Sequence, residues 1–256
     1  MSINAEVGAS SPGGYSQVVP VDRDRLHDLG VSKSSCSQFV AVQNTAHLNV
    51  IEFFHALPYF PIAFVRQQNG NYSPCAVLGL NSGENLFLDA DGNWQDDVYS
   101  PAYIRRYPFI TEAITEEELK ADDKDLRKPI FVDETALVKD APALFIANGV
   151  ATPEWQAIES FVSDYISAEQ LTLSFTRKLN SLDLLEAFDA QVHPDQGDTI
   201  RLKGLYRVNE NKLNSLPAKV IKDLMVSGEL SRIYAHLISL ENFAKLLDRS
   251  ARRKQQ

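Results

Sequence analysis

The sequence predicts an α+β protein in which an antiparallel β-sheet in the N-terminal part packs against a mainly helical C-terminal half. Three observations carry that expectation. Short strand-like runs separated by turn residues occupy about 37–149, one long apolar stripe of helical period follows Thr152, and helix caps recur after Val208. A single domain over 19–256, preceded by a tail at 1–18, is the expected organisation, because 256 residues can share one sizeable core.

Residues 1 to about 18 are rich in Ser and Gly and lack periodicity, so they are expected to be mobile. The runs "SQFVAVQ", "PIAFVRQ", "CAVLGL" and "ENLFLDA" then read as strands of a meander, with "QNGNYS", "NSGE" and "DADGN" as turn signals. In "LFLDADGNWQ" a hairpin is expected, with Asp91 and Gly92 supplying the positive φ angles of a tight turn. Thr115 stands three residues before Glu118, the spacing of a capping box, so a short acidic helix is expected there with its charges in water. "KPIFVDE" and "ALFIANG" read as two more short strands.

The clearest helix opens at "ATPEW", where Thr152 caps, Pro153 suits the first helical position and Glu154 favours the positive end of the dipole. Ile158, Phe161, Tyr165, Ala168, Phe175 and Leu179 fall on one stripe, which should lie on the sheet. "TIRLKGLYRV" alternates apolar and basic residues and reads as a strand with one buried face. Beyond it Asn209 caps a short helix, Pro217 opens another, Gly228 breaks it, and Ser239 is expected to cap the last.

Composition excludes several classes. Residues 217–256 hold eight Lys or Arg against four Asp or Glu, so the other 216 residues carry −13 of the net −9. Such a surface repels phosphate backbones, which argues against a nucleic-acid partner, and the terminal "RSARRKQQ" reads as a solvated helix end. The most apolar window, "VIEFFHALPYFPIAFV", is interrupted by Glu52, His55, Pro58 and Pro61 and falls short of a bilayer span. "SINAEVGASSPGG" after Met1 has neither a basic segment nor an apolar core, so no secretory signal is visible and a cytoplasmic location is expected. In a reducing compartment Cys36 and Cys75 are expected as free thiols.

Motifs for catalysis fare poorly. His193 and Asp195 with His236 match the letters of a two-histidine, one-carboxylate iron site, but His236 lies in a run of helical period and "HPDQGD" reads as a surface turn. Glu52 and His55 have the Glu-x-x-His spacing of half a di-iron site, with no second copy, so a partly buried structural histidine is expected. In "DADGN" the glycine is fourth, whereas a calcium loop needs it sixth. Gly-x-Ser-x-Gly, Gly-x-Gly-x-x-Gly and the phosphate-binding Gly-Lys-Ser/Thr loop are missing. No catalytic residue, metal or cofactor is therefore expected.

"YSPAYIRRYPF" is the exception to the acidic background. Pro101 and Pro108 delimit one helical turn on which Tyr103 and Tyr107 share a face while Arg105 and Arg106 diverge. A guanidinium can grip a carboxylate or a phosphate through its planar fork, or close an internal salt bridge.

The blocks "ALPYFPIAFVR", "AVLGLNSGENLFLDADGNW", "YSPAYIRRYPF", "LKGLYRVNENKLNSLP" and "SGELSRIYAHLISLENFAKLL", in this order, resemble the bacterial SapC family over about 38–250. The resemblance implies an association with surface layers, and an accessory task beside outer-membrane receptors and oxidative enzymes in uptake or peptide modification. It implies no catalytic residue. The expectation that follows is a non-enzymatic binding or accessory protein engaging a protein or peptide partner, with an oligomer left open. Its expected groove is lined by Trp94, Tyr103, Arg105, Arg106, Tyr107, Tyr206 and Arg207, because aromatics and arginines concentrate interface energy. Loss of Arg106 is expected to abolish capture and leave stability nearly intact. Two alternatives are an enzyme subunit acting with an oxidative partner, using His55 or His236 as acid or base, and a surface-layer component reaching the cell surface by signal-independent export.

Overall fold

The computed structural model describes residues 4–6, 14–121, 123, 125–192 and 200–253. It is an α+β fold built on one principal sheet. In spatial order the antiparallel strands are Leu185–Val192, Ile200–Val208, Ile62–Arg66, Tyr72–Val77 and Thr45–His47, and Asn4–Glu6 pairs parallel to the start of Ile200–Val208. Strands from both ends of the chain thus share one sheet, with Leu205 opposite Val65 and Tyr206 opposite Phe64. Ile200–Val208 is a strand, as the alternation there predicts. A smaller three-stranded sheet, Val18–Pro20, Ile130–Asp133 and Phe109–Thr111, lies apart from the principal one in the pairing order.

Two apolar cores result. The larger contains Phe53, Phe60, Phe64, Leu78 and Leu205, and the smaller contains Leu26, Phe109, Val132, Phe145 and Trp155. The long helix Pro153–Ser181 joins them, since its 29 residues extend about 43 Å at 1.5 Å per residue. Trp155, Val162 and Ile166 at its start belong to the smaller core, and Phe175 and Leu179 near its end to the larger. Thr152 caps it through its hydroxyl, which accepts from the Trp155 N–H at 3.4 Å, with Pro153 in the first turn. Of the expected stripe, Tyr165, Ala168, Phe175 and Leu179 are buried, whereas Ile158 and Phe161 remain half-buried.

The structure corrects several local expectations. "SQFVAVQ" is not a strand. It falls on the helix Lys33–Ala41, which Ser32 caps by accepting from the Ser35 N–H, and which buries the adjacent Phe39 and Val40 together. "ENLFLDA" pairs only through an isolated bridge, Leu88 with Trp94, around a turn in which Gly92 alone has positive φ (81°). Asp91 is not in the left-handed region; the Asp89 carboxylate holds the turn by accepting from the N–H groups of Asp91 and Asn93. Within the stretch expected to be mobile, Tyr15 donates to the Phe109 carbonyl at 3.1 Å, and the Asp133 carboxylate accepts from the Ser16 and Gln17 N–H groups. The capping box at Thr115 and Glu118 forms reciprocally, and Asn209 caps Glu210–Asn214. His193 and Asp195 lie outside the described residues.

Ser239 ends the helix Glu229–Ser239 rather than capping the following Asn242–Arg253. Its hydroxyl is fully buried, accepts from the Ile62 N–H at 2.9 Å and donates to the His236 carbonyl. His236 completes the clasp: Nε2 accepts from the Val208 N–H at 3.1 Å, and Nδ1 lies 2.8 Å from the Ile62 carbonyl. Only a neutral ring protonated on Nδ1 satisfies both bonds, so one histidine ties a helix to two neighbouring strands.

Burial pushes the His236 pKa down to about 4, and the His47 pKa likewise, with Arg106 contributing there. Both folded values lie below the unfolded value of about 6.5, so the unfolded chain takes up protons first as pH falls. The stabilisation is therefore complete above about 6.5 and lost progressively between about 6.5 and 4, on the order of 3 kcal/mol per histidine. Urea unfolding at pH 7, 5.5 and 4 should show this decline, and His236→Gln should remove about half of its histidine-linked part.

Candidate functional site

The segment Ser100–Phe109 crosses from one core to the other, since Tyr103, Ile104 and Tyr107 belong to the larger and Phe109 to the smaller. Pro101 leads into the helix Ala102–Arg106, whose first free N–H, that of Ala102, donates to Glu52 Oε1 at 2.7 Å. The Tyr99 hydroxyl donates to the same oxygen at 2.8 Å, and the Asn49 N–H donates to Oε2 at 2.8 Å. Glu52 is buried, and these donors replace the water it has lost. Next to it Thr172 of the long helix accepts from the Val50 N–H and donates to the Ala168 carbonyl. The loop around Glu52 is thereby fastened to the long helix on one side and to Ala102–Arg106 on the other.

Arg105 and Arg106 diverge on this helix. Arg105 is exposed; its Nε–H donates to the Ser100 carbonyl at 3.0 Å, and its guanidinium carbon lies 5.1 Å from the Phe161 ring centroid and 5.9 Å from that of Tyr99. Arg106 is 6% exposed and rests over the Tyr165 ring at 4.2 Å, with Tyr103 at 5.9 Å. Among the described residues no carboxylate lies within ion-pairing distance of Arg106, and its Nε–H has no partner. Burial opposes its charge, but Tyr165, Tyr15, Glu169 and Tyr103 outweigh it and hold the pKa above the ordinary arginine value. The internal salt bridge considered from the sequence is replaced by a cation held on aromatic faces.

Tyr103 and Tyr107 share a face as their spacing predicts, both against Phe39. Tyr107 stacks on that ring at 4.0 Å and 10°, and Tyr15 closes the cluster edge-on to both. Burial raises the Tyr107 phenol to about 12. Between this cluster and the start of the long helix opens a cleft of about 310 Å³, walled by Val31, Phe109, Ile158 and Phe161, with Arg105, Arg106 and Tyr107 on its other side. Apolar walls with two cations make it suited to an apolar group bearing a negative charge.

The other expected groove residues are elsewhere. Trp94 is partly buried against the larger core, beside Phe60 and Phe87, and its Nε1–H donates to the Val98 carbonyl. Tyr206 packs edge-on to Tyr72 at 4.9 Å. Arg207 pairs with Glu186 at 2.9 Å, lies over Phe188 and lines a separate cavity of about 390 Å³. Of the expected groove residues, Arg105, Arg106 and Tyr107 line the cleft; Tyr103 is buried in the larger core beside them without lining it, and Trp94, Tyr206 and Arg207 lie elsewhere. Arg106 is also embedded too deeply for its truncation to spare stability.

The expected histidine sites resolve into structure. His55 is exposed rather than partly buried, and stacks on Tyr99 at 5.4 Å, while Glu52 spends both oxygens on hydrogen bonds. Cys36 and Cys75 are free thiols, and burial pushes Cys75 up to about 12. Among the described residues no group of three His, Cys, Asp or Glu is placed to hold a metal ion, and no helix is long and apolar enough to cross a membrane. Sequence reasoning missed Tyr15, masked by a Ser- and Gly-rich context, and the roles of Phe161 and Tyr165, which it read only as core stripe.

The fold and the cleft define an α+β protein with arginines set on aromatic rings at the junction of two cores. Its residues 21–246 match the SapC family model, and the chain belongs to the SapC family. No curated protein and no solved structure matches it.

Glu52→Gln should lower stability by about 2–3 kcal/mol, because an amide nitrogen would face donors that now meet a carboxylate oxygen. Tyr99→Phe, which deletes one of three donors, should cost about 1 kcal/mol. Chemical denaturation of both variants checks the order.

Proposed function

We propose that this SapC-family protein is a non-enzymatic binding or accessory protein whose cleft at Arg105 and Arg106 captures a protein or peptide segment. The segment presents a carboxylate beside an apolar side chain. The observation that carries the reading is the exposed guanidinium of Arg105. It is parked over Phe161 at a cleft with Val31, Phe109 and Ile158 in its walls, and it forms no ion pair among the described residues. A cation held in place over an aromatic ring meets a carboxylate with little further loss of side-chain freedom. The surrounding negative charge favours a ligand whose single carboxylate enters the cleft over a polyanion.

A non-enzymatic role agrees with the histidines. His236 uses both ring nitrogens in the fold, and the half-buried His47 has its pKa lowered to about 4 by desolvation and by Arg106. Neither is poised as an acid or base near neutral pH. A task beside outer-membrane uptake or peptide modification is the setting that this reading suggests for the captured segment.

Fluorescence polarisation with labelled peptides ending in Phe tests the proposal. A free C-terminal carboxylate should bind, its amide should bind at least about tenfold more weakly, a difference of about 1.4 kcal/mol, and Arg105→Glu should produce a similar loss with an unchanged Tm. Equal binding of acid and amide, or undiminished binding by Arg105→Glu, would contradict it.

A further inference from the structure

On the opposite flank of the long helix's first turns lies a larger slot of about 580 Å³, which shares only Val162 with the arginine cleft. Its inner wall is apolar: Trp155, Val162 and Ile166 are buried in the smaller core and line the slot. Its lips carry opposite charges. Arg23, after the strand Val18–Pro20, and Arg127, before Ile130–Asp133, stand on the sheet side, while Glu159 and Asp164 project from the helix side. All four are exposed, and among the described residues none of them forms an ion pair. Lys128, also in the wall, is already engaged by Glu118 at 2.7 Å.

Arg23 lies over the Phe145 ring at 5.8 Å, but it takes no carboxylate there, and two cations and two anions that face one slot without ion pairs leave both lips open to a ligand carrying both signs. Trp155 adds a second observation, because its Nε1–H is buried and among the described residues has no hydrogen-bond partner. A buried indole N–H without a partner is uncommon, since tryptophans of this kind usually find an acceptor. The slot's size falls within the roughly 300–1,000 Å³ of small-molecule sites.

We infer that this slot is a second binding site, for a small zwitterion with an apolar body: a free apolar amino acid or a dipeptide. The carboxylate meets Arg23 and Arg127, the ammonium meets Glu159 and Asp164, and the side chain lies on the wall of Trp155, Val162 and Ile166. A nucleotide or other polyanion is disfavoured by the acidic lip. The site is independent of the proposed peptide cleft, and neither Arg105 nor Arg106 lines it.

Titration of the ¹⁵N-labelled full chain, followed at the two indole N–H resonances, tests the inference. Trp94→Phe or Trp155→Phe assigns them, whichever folds. Phenylalanine, Leu-Phe, N-acetyl-phenylalanine and N-acetyl-phenylalanine amide serve as probes. The Trp155 signal should move saturably with one or both zwitterions, the stronger response separating free amino acid from dipeptide. It should respond at least about tenfold more weakly to the capped forms, a difference of about 1.4 kcal/mol. Arg127→Glu and Asp164→Lys, both on exposed positions, should each weaken binding by a similar factor, while Arg105→Glu leaves it unchanged. No movement with either zwitterion up to about 10 mM, against the roughly 1 mM Kd that so few contacts would give, would overturn the inference. So would equal movement by the doubly capped probe, or indifference to both lip variants.

Discussion

A guanidinium brought into a protein interior must be compensated or it destabilises the fold, by several kcal/mol where no partner charge is near. Arg106 meets this constraint with aromatic faces. Its position over Tyr165 at 4.2 Å, with Tyr103 beyond, supplies a desolvated cation–π contact worth about 2 kcal/mol. Tyr165 comes from the long helix and Arg106 from the short one, so this contact sets the distance between the two. The cleft beside them is a consequence of that spacing, and Arg105, one residue earlier, is turned to its mouth.

The same junction solves a second burial problem. Glu52 is a buried carboxylate near a buried cation, yet the two do not pair; Glu52 is satisfied by a helix N-terminus, a phenol and a loop N–H. Separate satisfaction of the two charges keeps the arginine's fork free of a carboxylate of its own. Thr172 then locks the Glu52 loop to the long helix, and the clasp of His236 and Ser239 on Ile62 and Val208 ties a second helix to the principal sheet. The aromatic and polar contacts at the junction thus form one rigid support under an exposed cation, which is the arrangement a binding site requires.

Much of this was legible in the chain. Thr152, Pro153, Thr115 and Asn209 announce their helices because caps act through neighbouring N–H groups, and the divergence of Arg105 from Arg106 follows from helical geometry alone. Failures came where tertiary context outweighed local pattern. The run at Ser37 has the composition of a strand, but Ser32 and the burial of Phe39 with Val40 make it helical. Ser239 has the type of a cap, yet its hydroxyl is worth more bridging Ile62 and His236 across the core. Trp94 and Arg207 have interface chemistry, but whether such residues face a cleft depends on long-range pairing that spacing does not encode. Tyr165 could not be read as the seat of a cation, because its partner is about 60 residues away in sequence.

The pairing of Arg106 with Tyr165 is best tested by a double-mutant cycle in chemical denaturation, using Arg106→Met, which keeps the aliphatic stem, and Tyr165→Leu. A coupling free energy of about 1–2 kcal/mol is expected from a desolvated cation on a ring. Additive losses, with coupling near zero, would show that the ring does not hold the charge and would remove the basis for the cleft.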